Sequence, residues 1–160
     1  MRLTHELRYD ATPDEVYGML ADPAFREATC RAMDVVSVEV TLTETDEGFD
    51  LVVDQVQRTD DLPSFARTFA GSTTRAVQRE TWADRTGAQL AIEAPGTPSD
   101  VRGTISLQPD GDGTREVVDL ELKIKVPLIG GKLEKLLAEK ITGGLDTEQR
   151  VGAAWLAGER

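Results

Sequence analysis

The residue types able to do chemistry are sparse in this 160-residue chain: one histidine, His5, and one cysteine, Cys30. Zinc sites draw several ligands from His and Cys, as in His-Glu-x-x-His or paired Cys-x-x-Cys, and neither pattern is present. A Rieske cluster would require two of each residue. No metal site and no cofactor are therefore expected. The densest acidic run, Asp110-Gly111-Asp112-Gly113, lacks the rest of a calcium loop and reads as a turn. The segment Ile129-Gly130-Gly131-Lys132-Leu133 has a superficial likeness to a phosphate loop. It lacks the first glycine at the right spacing and a Ser or Thr after Lys132, so it reads as the start of a helix. His5 lies between Leu3 and Leu7 on the apolar side of an alternating segment. It is either a hydrogen-bonded interior or rim histidine, or a polar contact or general base at a cavity. No serine or cysteine is tied to it by sequence, so no triad can be argued and no catalytic residue is assigned.

The sharpest signal is in the C-terminal helical pattern that runs to about Leu156. At 100° per residue, Leu133, Leu137, Ile141, Val151 and Trp155 form one stripe. Gly144 and Glu148 fall on it, and Lys140 lies at its edge. A mid-helix glycine costs ~1 kcal/mol relative to alanine, so some gain should offset it. The gain could be room for a ligand, close packing against a bulky sheet residue such as Trp82, or a bend at Gly143-Gly144 with Asp146 capping a second segment. Glu148 would be costly to bury unpaired. It lies either at a wet sheet edge or in a cavity, with His5, Arg67 or Arg79 as partners.

The elements that must position these residues follow from periodicity. Residues 2–10 alternate as a strand. Thr12-Pro13-Asp14-Glu15 forms a capping box with proline at the first helical position, opening a short helix over 13–21. Asp22-Pro23 caps a second, over 23–33, with Phe25, Ala28 and Met33 inward. Strands follow over 35–44 and 49–58, joined by a turn at Thr45–Gly48. Residues 59–74 form a packed loop or short helix. Strands over 76–83, 88–94, 101–108 and 115–126 complete the set, and Pro127 separates the last from the closing helix. In the 76–83 strand, either Gln78, Glu80 and Trp82 face inward or Val77, Arg79 and Thr81 do, and sequence leaves the register open. Short turns between neighbours imply an antiparallel sheet curved around the final helix. Length and the absence of a boundary signal imply one domain over 1–160.

The strand ending Tyr9-Asp10-Ala11, the entry Thr12-Pro13-Asp14-Glu15-Val16-Tyr17, and the last strand and helix divided by Pro127 resemble the START-like superfamily, also called SRPBCC, helix-grip or polyketide cyclase-like proteins. Leu62-Pro63-Ser64-Phe65 and Glu80-Thr81-Trp82 are most similar to the uncharacterised bacterial family called domain of unknown function 2505. The resemblance covers the whole chain. It implies an α+β helix-grip fold: a curved antiparallel sheet of about seven strands, with two short helices after the first, wrapped around a long C-terminal helix. It also implies a hydrophobic cavity between sheet and helix. The side chains expected to line it are His5, Leu7, Tyr9, Val38, Val53, Glu80, Trp82, Ile92, Ile105, Leu120, Leu122, Ile141, Gly144 and Glu148. Relatives of this kind carry lipids, sterols or plant hormones, or cyclise polyketides, and fold alone does not choose among these.

The net charge of −11 argues against nucleic acid, which selects basic surfaces, and against anionic lipid headgroups. No stretch approaches the ~20 apolar residues of a membrane span. The charged N-terminus lacks a signal-peptide core, and a lone cysteine fits a reducing compartment, so a cytoplasmic location is expected. The leading expectation is binding or carriage of a small, mostly hydrophobic molecule by a monomer or weak homodimer. A cyclase or dehydratase is the second, requiring His5, Glu80 and Glu148 to converge on one cavity. The third is an interaction or stress-related module, requiring Leu62, Phe65 and Phe69 to face outward.

Overall fold

The computed structural model describes residues 1–159. Its elements are β1 (Arg2–Tyr9), α1 (Pro13–Leu20), α2 (Pro23–Ala32), β2 (Ser37–Glu44), β3 (Phe49–Arg58), α3 (Ser64–Ala70), β4 (Thr73–Trp82), β5 (Gly87–Glu93), β6 (Ser99–Asp110), β7 (Gly113–Ile124) and α4 (Gly130–Leu156). The seven strands form one sheet in the order β1-β7-β6-β5-β4-β3-β2, antiparallel at every pairing. β1 and β2 are the two edges, so the α1–α2 pair carries the chain from one edge to the other.

Local chemistry accounts for the entry into each helix. Thr12 Oγ1 accepts from Glu15 N (3.2 Å) and Glu15 Oε1 accepts from Thr12 N (3.4 Å), satisfying donors that the first helical turn leaves without partners. Asp22 Oδ1 accepts from Ala24 N (3.0 Å) and opens α2. The acidic run at Asp110 is a two-residue turn: Asp110 pairs with Gly113, and Gly111 takes the left-handed φ of 59° that glycine tolerates. Asp110 itself accepts from Arg8 Nη1 (2.6 Å).

Helix α4 is one uninterrupted element, so Asp146 does not cap a second segment; it lies mid-helix beside His5. Its backbone packs on β1, β7, α1 and α2. The most deeply buried line along it runs through Glu134, Ala138, Gly152 and Trp155. The line containing Leu137, Ile141, Gly144 and Glu148 lies beside that ridge and is half-buried. The helix therefore rests on the sheet along a line rotated slightly from the apolar stripe, and the stripe itself overlooks β3–β6. The 59–74 connection contains α3, on which Phe65 and Phe69 are 38% and 54% exposed while Leu62 is half-buried. No helix among the described residues is long and apolar enough to cross a membrane.

Candidate functional site

The register of β4 decides the polarity of the interior. Glu80 pairs with Leu51 of β3 and Leu90 of β5, and both Glu80 and Trp82 are 1% exposed. Gln78, Glu80 and Trp82 thus face inward, and Arg79 faces outward to Glu93 (3.2 Å). A buried carboxylate requires donors, and Glu80 has four hydrogen bonds. Arg26 of α2 donates through Nη1 to Oε1 (3.0 Å) and through Nη2 to Oε2 (2.8 Å); Gln78 donates to Oε1 (2.7 Å) and the Trp82 indole to Oε2 (2.8 Å). Arg26 Nε donates to Leu20 O (2.8 Å), which fixes the guanidinium plane.

Above this pair lies a cavity of about 140 Å³ between the sheet, α2 and α4. Val53, Leu90, Ile92, Ile105, Val118, Leu120, Leu137, Ile141 and Leu145 give it apolar walls. Its polar surface comes from Arg26, Thr29, Gln55, Gln57, Gln78, Glu80, Glu116, Lys140 and Glu148. Cys30, Met33, Ala76 and Gly144 complete the lining. A Cβ on Gly144 would sit 3.3 Å from Met33 Sδ, so this glycine faces the thioether that follows α2 and the cavity, not Trp82.

Two further carboxyl groups meet the Arg26–Glu80 pair. Glu116 of β7 is 1% exposed, and its Oε2 has no hydrogen-bond partner among the described residues. Burial pushes its pKa well above the ordinary value, the neighbouring Glu148 adds to this, and Arg26 opposes it. Burial also raises Glu148, to about 7, against the pull of Arg26 and with a contribution from Glu80. Burial pushes the Cys30 thiol up to about 11, which leaves it protonated and unreactive at neutral pH. Thr29 Oγ1 and Gln55 Oε1 are also buried without partners.

Of the side chains singled out from sequence, Val53, Glu80, Ile92, Ile105, Leu120, Ile141, Gly144 and Glu148 meet at this cavity. The others lie elsewhere, each for a packing reason. His5 faces the same side of β1 as Leu7, but β1 is an edge strand, and His5 Nε2 donates to Asp146 Oδ1 (2.9 Å) at the rim of α4. It does not converge with Glu80 and Glu148, so the three-residue constellation required for a cyclase does not form. Leu7 and Tyr9 of β1 and Leu122 of β7 are on the strands that α4 covers, and they are sealed in the core. Val38 packs half-buried against the core from the other edge strand, β2. Trp82 stacks on Phe49 (5.4 Å) and meets Tyr17 edge-on (5.6 Å), away from the cavity. Neither Arg67 nor Arg79 reaches Glu148; Arg26 is the nearby cation.

Arg26 and Glu116 were not among the residues singled out. Glu116 has the parity of Val118, Leu120 and Leu122, so carrying the β7 alternation back by one step would have placed it inward. Arg26 has no such signal, because an arginine on a short helix is ordinarily solvated until a buried carboxylate on a distant strand is known.

A protein of Mycobacterium tuberculosis described as uncharacterised is 24% identical over 160 residues, covering 92% of each chain. A solved structure from Thermus thermophilus superposes with a TM-score of 0.68 at 21% identity, over 99% of this chain and 98% of that one. A START superfamily protein from Mycobacterium smegmatis superposes with a TM-score of 0.62 at 15% identity, over 97% and 98%. The model of a family described as a protein of unknown function, DUF2505, matches residues 4–156. The chain belongs to that family, and it shares its fold with the START superfamily protein.

Proposed function

We propose that the protein binds a small, largely apolar molecule in the cavity between α4 and the central strands. The observation that carries this is the cavity itself: an apolar-walled space of about 140 Å³, left where α4 rests on β1 and β7. A cavity of roughly 150 Å³ holds one benzene, so the part of the ligand that enters is the size of a single ring or a short chain. Apolar walls supply affinity and the few polar groups fix orientation. Protein purified from its native cells and analysed by native mass spectrometry is expected to retain a small molecule. Gly144→Leu, whose side chain would grow into the cavity against the flexible Met33 thioether, is expected to lose it. A wild-type protein that carries nothing, and that binds no ring-sized apolar probe in solution, would overturn the proposal.

A further inference from the structure

The cavity floor carries an imbalance of charge. Three carboxyl groups, Glu80, Glu116 and Glu148, face one guanidinium, Arg26. Arg26 is already committed, with both terminal nitrogens on Glu80 and Nε on a backbone carbonyl. Neither Glu116 nor Glu148 has a cationic side chain in ion-pair contact among the described residues. A second, independent observation concerns an atom that is not acidic. Gln55, 6% exposed, lines the cavity from β3 with an Oε1 that accepts nothing. An acceptor left without a donor in a buried site costs on the order of 1–3 kcal/mol, so the Gln55 oxygen favours an occupant that brings a donor.

The geometry points to a ligand with a cationic nitrogen: an amphipathic amine whose ammonium meets Glu148 while its ring-sized or short-chain body fills the apolar walls. This rests on the ligand-binding reading above and names the class of ligand. An ammonium offers three donors and no acceptor, and its charge offsets that of the Glu148 carboxylate, the one left without a cationic partner once Arg26 is taken by Glu80. A divalent cation is a poorer fit, because the described acidic residues are not placed as a set of metal ligands. An anionic head would face the carboxylates. The cation left for it is Lys140, eight residues before Glu148 on α4 and therefore ~12 Å along the helix, and Lys140 is paired with Asp61 at 3.5 Å.

Three probes of one shape separate the possibilities: 3-phenylpropylamine, 3-phenylpropan-1-ol and 3-phenylpropanoate, titrated calorimetrically into the intact protein at pH 8. The amine is expected to bind at least tenfold more tightly than the alcohol, and the propanoate most weakly. In Glu148→Gln, which keeps the shape of a side chain that no structural partner holds, the amine's advantage over the alcohol is expected to fall below threefold. Equal binding of amine and alcohol by the wild-type protein would overturn the charge inference and leave the cavity reading intact. Tightest binding by the propanoate would do the same and place the head at Lys140. If none of the three binds, the cavity reading fails and this inference fails with it.

Discussion

A carboxylate that accepts four hydrogen bonds in a dry site is held in one place, and Glu80 is held by Arg26, Gln78 and Trp82. The pair is a fixed floor beneath the cavity, and its cost is the desolvation of two ions. Removing one partner should therefore be far more damaging than breaking an ion pair in water. Arg26→Met leaves Glu80 charged, buried and short of two donors, and the expected loss of stability is ~3–5 kcal/mol. Arg75→Ala breaks a pair of equally good geometry, Arg75 Nη2 to Asp54 Oδ2 at 2.6 Å, but Arg75 is 53% exposed. Its expected loss is far smaller, because water screens the pair in the folded protein. Urea denaturation of both variants decides the matter, and comparable losses would mean that burial does not control the Arg26–Glu80 energetics. The same contrast explains why Arg26 escapes a reading of sequence. An arginine in a ten-residue helix looks like its solvated counterparts, and only the fold brings it to a glutamate on β4 that is 54 positions away.

At the scale of elements, α4 carries both the legible and the illegible parts of the site. Its extent and its inward stripe follow from residue spacing, and so do Ile141, Gly144 and Glu148 on the cavity. Spacing does not reveal which glycine the packing requires. The pair Gly143-Gly144 draws attention because it is a pair, yet a Cβ on Gly143 would meet nothing within 4 Å. Gly152 is the position of close approach: a Cβ there would sit 2.7 Å from Tyr9 Cε1, 3.1 Å from Tyr9 Oη and 3.1 Å from Met19 Cε. The tyrosine that was expected to line the cavity instead fills the gap beneath Gly152. Opposite outcomes follow for the same substitution at two positions of one helix. Gly143→Ala gains helix propensity without a clash and should stabilise the protein by ~1 kcal/mol. Gly152→Ala gains the same propensity but must displace a buried aromatic ring, at an overpacking cost of typically ~1–3 kcal/mol, so the net change should be destabilising. Denaturant midpoints measure both. A stabilising Gly152→Ala would show that Tyr9 and Met19 yield freely.

At the scale of the whole molecule, the antiparallel sheet and its wrap around α4 follow from alternation and short turns, while the pairing of β1 with β7 does not. The polar interior does not, because Arg26, Glu80, Glu116 and Glu148 come from α2, β4, β7 and α4 and share no local pattern. That interior sets a pH dependence opposite to the usual behaviour of surface carboxylates. Glu116 and Glu148 hold their protons more tightly folded than unfolded, where a glutamate releases its proton near 4.5. Their contribution to stability is therefore fully present below about 4.5. It declines as pH rises, because unfolding then releases protons that the folded state retains. Glu148's share is lost as pH passes through about 7, and Glu116's decline continues above that. Asp54 and Asp119 act in the other sense: hydrogen bonds from Arg75 and Arg2 lower them, so their small, exposed contributions are lost only as pH falls below about 4. The net charge of −11 adds self-repulsion that also disfavours the compact state toward higher pH. The expected outcome is a melting temperature that falls steadily from pH 5 to pH 8 in a buffer series at constant ionic strength. Glu148→Gln separates the buried group from the general repulsion: it changes one charge in a strongly acidic molecule, yet it should remove about half of the slope below pH 7 and leave most of the slope above it. A melting temperature that rises between pH 5 and pH 8 in the wild-type protein would show that Glu116 and Glu148 are not desolvated as the fold places them.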